Sequence, residues 1–582
     1  MNQIIICDAQ QQWLKFSQPT QIIKTNHLTE VLPKLELVNQ LVQQTKSYAV
    51  GFISYEAAGA FDSVLTSHHQ NTTFPLLWFG LYKEPEKITL PSPSDTQYQL
   101  NWSSTITKAE YNKAIAKIKH YISCGDTYQV NYTMRLQADF IQDAWQYFLH
   151  LNQAQQANYS AYIDLEDFTI CSASPELFFT WDGNQIVTRP MKGTSARGYT
   201  LKSDRNKSRW LHNSLKNRAE NVMIVDMIRN DLARVAELNT VKVPSLFDVE
   251  KYPTLWQMTS TVTAQSKASL PEIMTALFPC ASITGAPKPR TMEIIRELEK
   301  TPRNIYTGTI GMITPNNNAQ FNVAIRTVLI DKRANIAEYG VGGGIVWDSA
   351  SASEYEECQI KARVLLNKNS DFDLLETILW TPHKGYFLLK YHLKRLQDSA
   401  LYFNFFIDIE TIEKRLIETA NALQDRPHKV RLLVDKTGKS KIETIPFIAN
   451  SPTKRVSLAI AKEHINIYNP FSYHKTTNRQ IYQKIRQAYP DYDDVLLWNE
   501  RQEITETCIA NVVVKLKGKL LTPPVKSGLL AGTFRAALLE QKKITEAVIT
   551  LSDLPQCEAI YLINSVRKWQ VASRGDSRIA LT

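Results

Sequence analysis

The sequence predicts two α/β (α+β) domains in tandem, and three observations carry that reading. At 582 residues the chain is several times longer than one ordinary hydrophobic core. Strand-like runs (FTICSA, NIYTGTIGMI, NVAIRTVLI) alternate with segments of helical period (EYNKAIAKIKHYISC, SLKNRAENVMIVDMIRNDLARVAEL). After the polar turn NKNSD the pattern restarts with the apolar run DLLETILW.

Along the chain, residues 1–100 mix short apolar runs such as YAVGFISYEA with polar, Pro-containing loops and read as a peripheral layer. Residues 101–366 form the mixed domain, closed by a helix over 354–366, EYEECQIKARVLL. A short linker is placed at 367–371. Residues 372–582 make the second domain, with a strand, the helix YHLKRLQDSALYF, and strands at KVRLLVD and VSLAIA. No solenoid period or low-complexity tract is present.

Composition removes several classes. Hydrophobic residues are 43% and charged residues 21%, which excludes a disordered or collagenous chain. The seven cysteines are scattered without a CxxC pair, so no zinc site is expected and reduced thiols in a cytoplasmic setting are. The amino terminus lacks a signal-peptide pattern and no long apolar run occurs, so no membrane partner is expected. The net charge of +10 favours anionic partners. With KSDRNKSR as the one notable basic cluster and no groove-reading motif, small anions are expected rather than nucleic acid.

Two sets of residues carry chemistry. In the first domain Glu220 lies on one helical segment, while Glu354 and Glu357 share a face of another at i, i+3. Carboxylates from two helices could hold one hard divalent cation such as Mg2+, although solvated helix faces account for the same spacing. Glycines cluster in TGAPK, YTGTIG and YGVGGGIV, as a binding wall or a set of tight turns requires. Arg326 and Lys361 add cations that could grip an anionic ligand or form structural ion pairs. In the second domain Lys475, Glu506 and Arg395 suit pyridoxal 5'-phosphate, as covalent anchor, pyridine-nitrogen partner and phosphate clamp. Taken without their context these three residue types are common in any basic domain.

The surrounding strings narrow the choice. SASPELFF, RPMKGTSARG, AENVMIVDMIRNDLARV, ITGAPKPRTMEII, YTGTIG, FNVAIRT and GGGIVWDSASASEYEECQIKA occur in the order found in chorismate-utilising enzymes, which residues from about 50 to 366 resemble. That resemblance implies two large sheets and Mg-chorismate as ligand. It implies Glu220 and Glu357 as metal ligands with Glu354 in the water-mediated shell. Arg326, Lys361, Thr284, Gly285, Gly343 and Gly344 would bind substrate. Lys192 in PMKGT stands where anthranilate synthases of the family carry a small residue. The resemblance there is to aminodeoxychorismate-forming members, in which this amine attacks ring C2 as the C4 hydroxyl leaves and ammonia then displaces it at C4. Lys192 must then be neutral near pH 7. Glu176, 16 positions before Lys192, matches the family's general acid.

Gln129 replaces the water-activating Lys of isochorismate-forming relatives, and Gln257 replaces a His associated with pyruvate elimination in anthranilate synthases. Asn217 stands where many relatives have a second carboxylate. No glutaminase nucleophile elbow with Cys is found, so ammonia is expected from solution or from a separate glutamine amidotransferase subunit.

From about 372 to 570, YHLKRLQDSA, HKTTNR, ITETCIANV and TPPVKSGLLAGTFR resemble the fold-type IV pyridoxal phosphate enzymes, which include class IV aminotransferases and aminodeoxychorismate lyase. The resemblance implies Lys475 as the cofactor lysine and Glu506 as the ring-nitrogen partner. Arg395, Thr533 and the backbone near Leu530 would be phosphate contacts, with Asn511 and Arg431 in packing or substrate roles. Together the domains imply amination of chorismate followed by pyruvate elimination to 4-aminobenzoate, and a possible homodimer through the C-terminal domain. The alternative is an anthranilate synthase-type enzyme fused to a transaminase-like or noncatalytic domain.

Overall fold

The computed structural model describes residues 3–68, 73–94, 100–365, 371–423, 425–448 and 455–574. It divides into two compact units, Met1–Arg197 with Lys207–Asn369, and Gly198–Asn206 with Ser370–Thr582. Of the expected linker, 367–370 lie outside the described residues.

The first unit contains two ten-stranded sheets. A core between them takes Ile4, Ile6, Phe16 and Ile170 from one sheet and Val50, Phe52, Trp78 and Ile310 from the other. Each outer face is covered by helices. Leu28–Thr45 and Leu215–Ala233 contribute Val31, Leu35 and Ile224 to one outer core, and Lys108–Ser123 and Ala144–Gln155 contribute Tyr111, Ile115 and Phe148 to the other. This layering explains the unbroken apolar runs. In Tyr48–Ile53, Val50 and Phe52 face the inter-sheet core while Ala49 and Ile53 face the helices, so no polar alternation survives.

Three expectations are corrected. Residues 1–100 are not a peripheral layer. Gln3–Cys7 pairs with Trp13–Phe16 and Tyr159–Asp164 in one sheet, and Tyr48–Ile53 pairs with Leu77–Tyr82 and Thr309–Ile313 in the other. Loop-rich composition obscured strands that only long-range partners complete. The run NVAIRTVLI is not one strand. Ala319–Val323 belongs to one sheet and Thr327–Asp331 to the other, with Arg326 between them at φ 53°. That left-handed residue turns the chain from sheet to sheet. The closing helix runs Ser351–Ala362 and tightens into a single 3-10 turn, Arg363–Leu365.

In the second unit a four-stranded sheet ordered Gly385–Tyr386, Leu374–Thr381, His428–Val434, Ser440–Pro446 packs against helices Leu389–Phe403 and Ile409–Asn421. An eight-stranded sheet accompanies it. Its pairing of Ile504–Thr507 with Asn511–Leu516 closes a ring of strands that also includes Asp494–Trp498, Val456–Ile460, Lys568–Arg574 and Ala559–Asn564. Among the described residues no helix is long and apolar enough to cross a membrane.

Phe52 is fully buried between the sheets and stacks on Phe74 with ring centroids 5.0 Å apart. Phe52→Ala is expected to lower the stability of this unit by roughly 3–5 kcal/mol. The midpoint of its urea transition measures this, and a loss below about 1 kcal/mol would show that the inter-sheet core is not what holds the sandwich.

Candidate active sites

In the first unit a cavity of about 270 Å3 is lined by Glu176, Lys192, Glu220, Arg326, Gly343, Gly344, Glu354, Glu357 and Lys361. These residues arrive from separate elements. Lys192 sits on the strand Met191–Ala196, Glu220 on the helix Leu215–Ala233, the glycines on Ile336–Ile345, and Glu354, Glu357 and Lys361 on Ser351–Ala362. Arg326 is brought in by the crossing between the sheets, where its guanidinium donates to the Lys361 carbonyl.

Lys192 is buried, and desolvation lowers its amine below the usual lysine range. Glu220 opposes that shift and neighbouring Lys361 adds to it. The amine lies so close to Gly344 that a β-carbon there would collide with Nζ and crowd the Gln129 amide. A side chain at this point would displace the lysine end that now passes over the Gly344 backbone. Both amide atoms of Gln129 are buried without a hydrogen-bond partner in the described structure.

Glu176 is buried and its carboxyl is pushed up to about 7 by desolvation, against hydrogen bonds from Ser282 and the Met191 amide. The Ser282 hydroxyl donates to Oε1 at 2.7 Å. Gln257 is committed elsewhere: its Nε2 donates to the Gly193 carbonyl at 2.9 Å and its Oε1 accepts from Thr194 at 3.1 Å. Those bonds clamp the strand at the two residues that follow the lysine. Asn217 also lines the cavity, with its amide donating to the Ser214 hydroxyl at 2.8 Å.

The three helix carboxylates share the cavity wall. Burial raises Glu220 and Glu354, and each is raised further by its carboxylate neighbours. Glu357 is lowered because Lys361, with Nζ at 2.8 Å, outweighs its burial. A buried Glu354 and a half-buried Glu220 lacking full compensation are the donor chemistry a divalent cation satisfies. Among the described residues, however, no three His, Cys, Asp or Glu side chains already converge on one metal position. Seating an ion would require these glutamates to draw together.

Thr284 and Gly285, expected to touch substrate, do not line this cavity. The Thr284 hydroxyl turns onto the Cys280 and Ala281 carbonyls, both at 3.3 Å. Gly285, at φ 143°, pairs with Val130, and a β-carbon there would strike the Gln129 carbonyl. Its close approach is to a neighbouring strand. Sequence reasoning missed Ser282, two residues from Thr284, which polarises the Glu176 carboxyl.

In the second unit Lys475 is half-buried and its amine falls to about 7, through desolvation and then the charges of Arg479 and Arg395. Glu506 is pushed up to about 7 by burial, while it accepts from the Tyr482 hydroxyl at 3.0 Å and the Asn511 amide at 3.3 Å. A protonated pyridine nitrogen is the kind of partner such a carboxylate lacks. The Leu530 amide, expected at a phosphate, instead donates to Glu506 at 3.3 Å, and its carbonyl accepts from Asn511 at 2.9 Å. Arg395 is bound to Glu376 through Nε at 2.9 Å and Nη2 at 2.6 Å. The Thr533 hydroxyl lies 3.2 Å from His392 Nε2. Arg431 pairs with Glu443 at 3.2 Å. Glu376 and His392 were not foreseen, although His392 stands three residues before Arg395 on the same helix. An amine that can be neutral, a buried acid and an Arg with a Thr fit pyridoxal 5'-phosphate.

Residues 2–367 match the family model of chorismate binding enzymes, and residues 373–574 match that of class IV amino-transferases. The chain therefore belongs to the chorismate-binding enzymes and carries a class IV aminotransferase domain after that one. Over 326 residues it is 40% identical to aminodeoxychorismate synthase component 1 of Escherichia coli (strain K12), a match covering 54% of this chain and 70% of that protein. It is 38% identical over 368 residues to an anthranilate synthase component 1 of Haloarcula marismortui, covering 55% of this chain and 75% of that one. The crystal structure of anthranilate synthase component I from Streptococcus pneumoniae TIGR4 shares the fold, with a TM-score of 0.53 and 21% identity over 63% of this chain and 92% of that one.

Since Glu220 is the strongest charge favouring the protonated form of Lys192, Glu220→Gln is expected to move the Lys192 titration to lower pH. NMR of protein labelled at lysine 13Cε measures this, and an unmoved or raised titration would contradict the coupling.

Proposed function

We propose that the chain makes 4-aminobenzoate in two reactions: Mg-dependent amination of chorismate to 4-amino-4-deoxychorismate, then pyridoxal phosphate-dependent elimination of pyruvate. The observation that carries this reading is the buried, weakly basic Lys192 amine lodged beside Gly344, in a cavity whose wall also presents a protonatable Glu176.

In the first reaction neutral Lys192 Nζ attacks ring C2, the double bond shifts, and the C4 hydroxyl departs as water with a proton from Glu176. Ammonia then forms the new bond at C4 while the C2–N bond breaks, returning the Lys192 amine. Glu176 near 7 is a suitable acid, since it is still partly protonated at neutral pH. Arg326 and Lys361 supply positive charge for the substrate carboxylates. Glu220, Glu354 and Glu357 would hold Mg2+, whose charge would neutralise a ring carboxylate. Ammonia would come from a separate glutamine amidotransferase, the partner role implied by the component 1 relatives.

In the second reaction bound pyridoxal 5'-phosphate supplies an electron sink. Lys475 Nζ, brought to about 7, removes the proton at C4 and delivers one to the enolpyruvyl carbon, and pyruvate leaves as the ring becomes aromatic. Glu506 would hold the proton on the pyridine nitrogen, with Tyr482 and Asn511 fixing its carboxylate.

The similar identity to an anthranilate synthase component favours one rival product, 2-aminobenzoate. Incubation with chorismate, ammonia, Mg2+ and pyridoxal phosphate is expected to yield 4-aminobenzoate; accumulation of 2-aminobenzoate would sink the proposal. Lys192→Ala is expected to abolish a covalent substrate adduct in intact-mass spectrometry.

The amination rate should fall on the alkaline side as Glu176 loses its proton from about 7, and on the acid side as Lys192 gains one. Glu176→Gln should cost about 10^2–10^4 in kcat and flatten the alkaline limb. An unchanged alkaline limb would assign it to another group.

A further inference from the structure

One buried imidazole in the second unit has no part in the reactions above. His392 is fully buried and bridges two groups: its Nδ1 lies 2.6 Å from Glu376 Oε2 and its Nε2 lies 3.2 Å from Thr533 Oγ1. The three come from distant parts of the chain, the strand Leu374–Thr381, the helix Leu389–Phe403 and the first residue of the helix Thr533–Glu540. Glu376 also receives both bonds from Arg395, whose Nη1 donates to the Ala531 carbonyl at 3.2 Å. The guanidinium charge is thus largely neutralised before any anion arrives.

The proton positions follow from this geometry. Burial of Glu376 is outweighed by Arg395 and His392, which hold its carboxyl down to about 2, so it is a permanent acceptor. His392 Nδ1 must then be the donor. Burial, with Arg395 and Lys475 assisting, lowers His392 against the pull of Glu376, leaving it neutral. Neutral Nε2 carries a lone pair, so the Thr533 hydroxyl donates its one hydrogen to His392 and turns only lone pairs outward. A phosphate dianion also offers only lone pairs. A proton on Nε2 reverses the chain: Nε2–H donates to Oγ1, and the hydroxyl hydrogen is freed for the anion.

We infer that Glu376, His392 and Thr533 form a proton-linked phosphate anchor, in which His392 acts as a positioning residue that takes up one proton when a phosphate monoester dianion binds. This rests on the reading of the C-terminal domain as a pyridoxal phosphate site and adds to it a requirement for the protein's own proton. The balance is simple: one proton moves from solvent to Nε2, and no covalent bond changes.

Calorimetric titration of the cofactor-free full-length protein with pyridoxal 5'-phosphate and with pyridoxal near pH 8, in buffers of different ionisation enthalpy, counts the protons. The difference between the two ligands is expected to be about one proton in the wild type and near zero in His392→Gln. Wild-type phosphate-dependent affinity should weaken about tenfold per pH unit on the alkaline side, while His392→Gln stays nearly flat. The 31P resonance of the bound ligand should remain that of the dianion.

If His392→Gln does not fold, Thr533→Val should lose the linkage and Thr533→Ser retain it. Equal proton uptake in wild type and variants, or a monoanionic 31P shift, would overturn the relay while leaving the cofactor reading intact. Failure of the wild type to bind pyridoxal phosphate, with no borohydride-fixed adduct at Lys475, would overturn both.

Discussion

Holding an ammonium-bearing side chain away from water is costly, because the charged form loses its hydration and the protein replaces only part of it. Both candidate sites depend on that cost being left partly uncompensated. Around Lys192, Glu220, Glu357 and Glu176 favour the charged amine, yet desolvation and Lys361 prevail. Around Lys475, Glu376 and Glu506 play the favouring part, and desolvation with Arg479 and Arg395 prevails. Full neutralisation would give an inert ion pair. The excess of burial over counter-charge is what makes each amine easier to deprotonate than an ordinary lysine.

The same imbalance appears in the acids. Glu176 and Glu506 are each pushed up to about 7 by burial, which outweighs Ser282, a backbone amide and the charges of Lys192 and Lys361 in one, and the charge of Arg479, Tyr482 and a backbone amide in the other. Glu376 shows the opposite outcome, since Arg395 and His392 are charged or chargeable and close enough to hold it ionised. A cation bonded directly to the carboxylate fixes it as a structural anion, whereas charge acting without such a bond leaves burial in control.

Much of this arrangement was legible in the sequence, and the gaps have physical causes. Glu176, Lys192, Glu220, Arg326, Glu354, Glu357 and Lys361 sit in distinctive strings, and one cavity gathers them. The tandem α/β pattern could be read because helical and extended periods differ. The break within NVAIRTVLI could not, since a strand buried on both faces has no polar alternation to interrupt, and Arg326 is not a residue type that marks a left-handed turn. Gly285 was a sound signal of close approach, but a spacing pattern does not say whether the approaching atoms belong to ligand or to strand. The link between His392 and Thr533 spans 141 residues and depends on the docking of two helices, which no local pattern encodes.

The interleaving of early and late strands bears on how the protein is made. Tyr48–Ile53 has one of its two sheet partners close by in the chain, but the other, Thr309–Ile313, is synthesised more than 250 residues later. Until that segment has left the ribosome, Val50 and Phe52 lack much of the surface that buries them, and one strand edge stays open. The sandwich therefore cannot close progressively from its amino terminus. Its assembly must wait for the bulk of the first unit, a non-local topology of the kind that folds slowly and leaves apolar strand surface uncovered in the nascent chain.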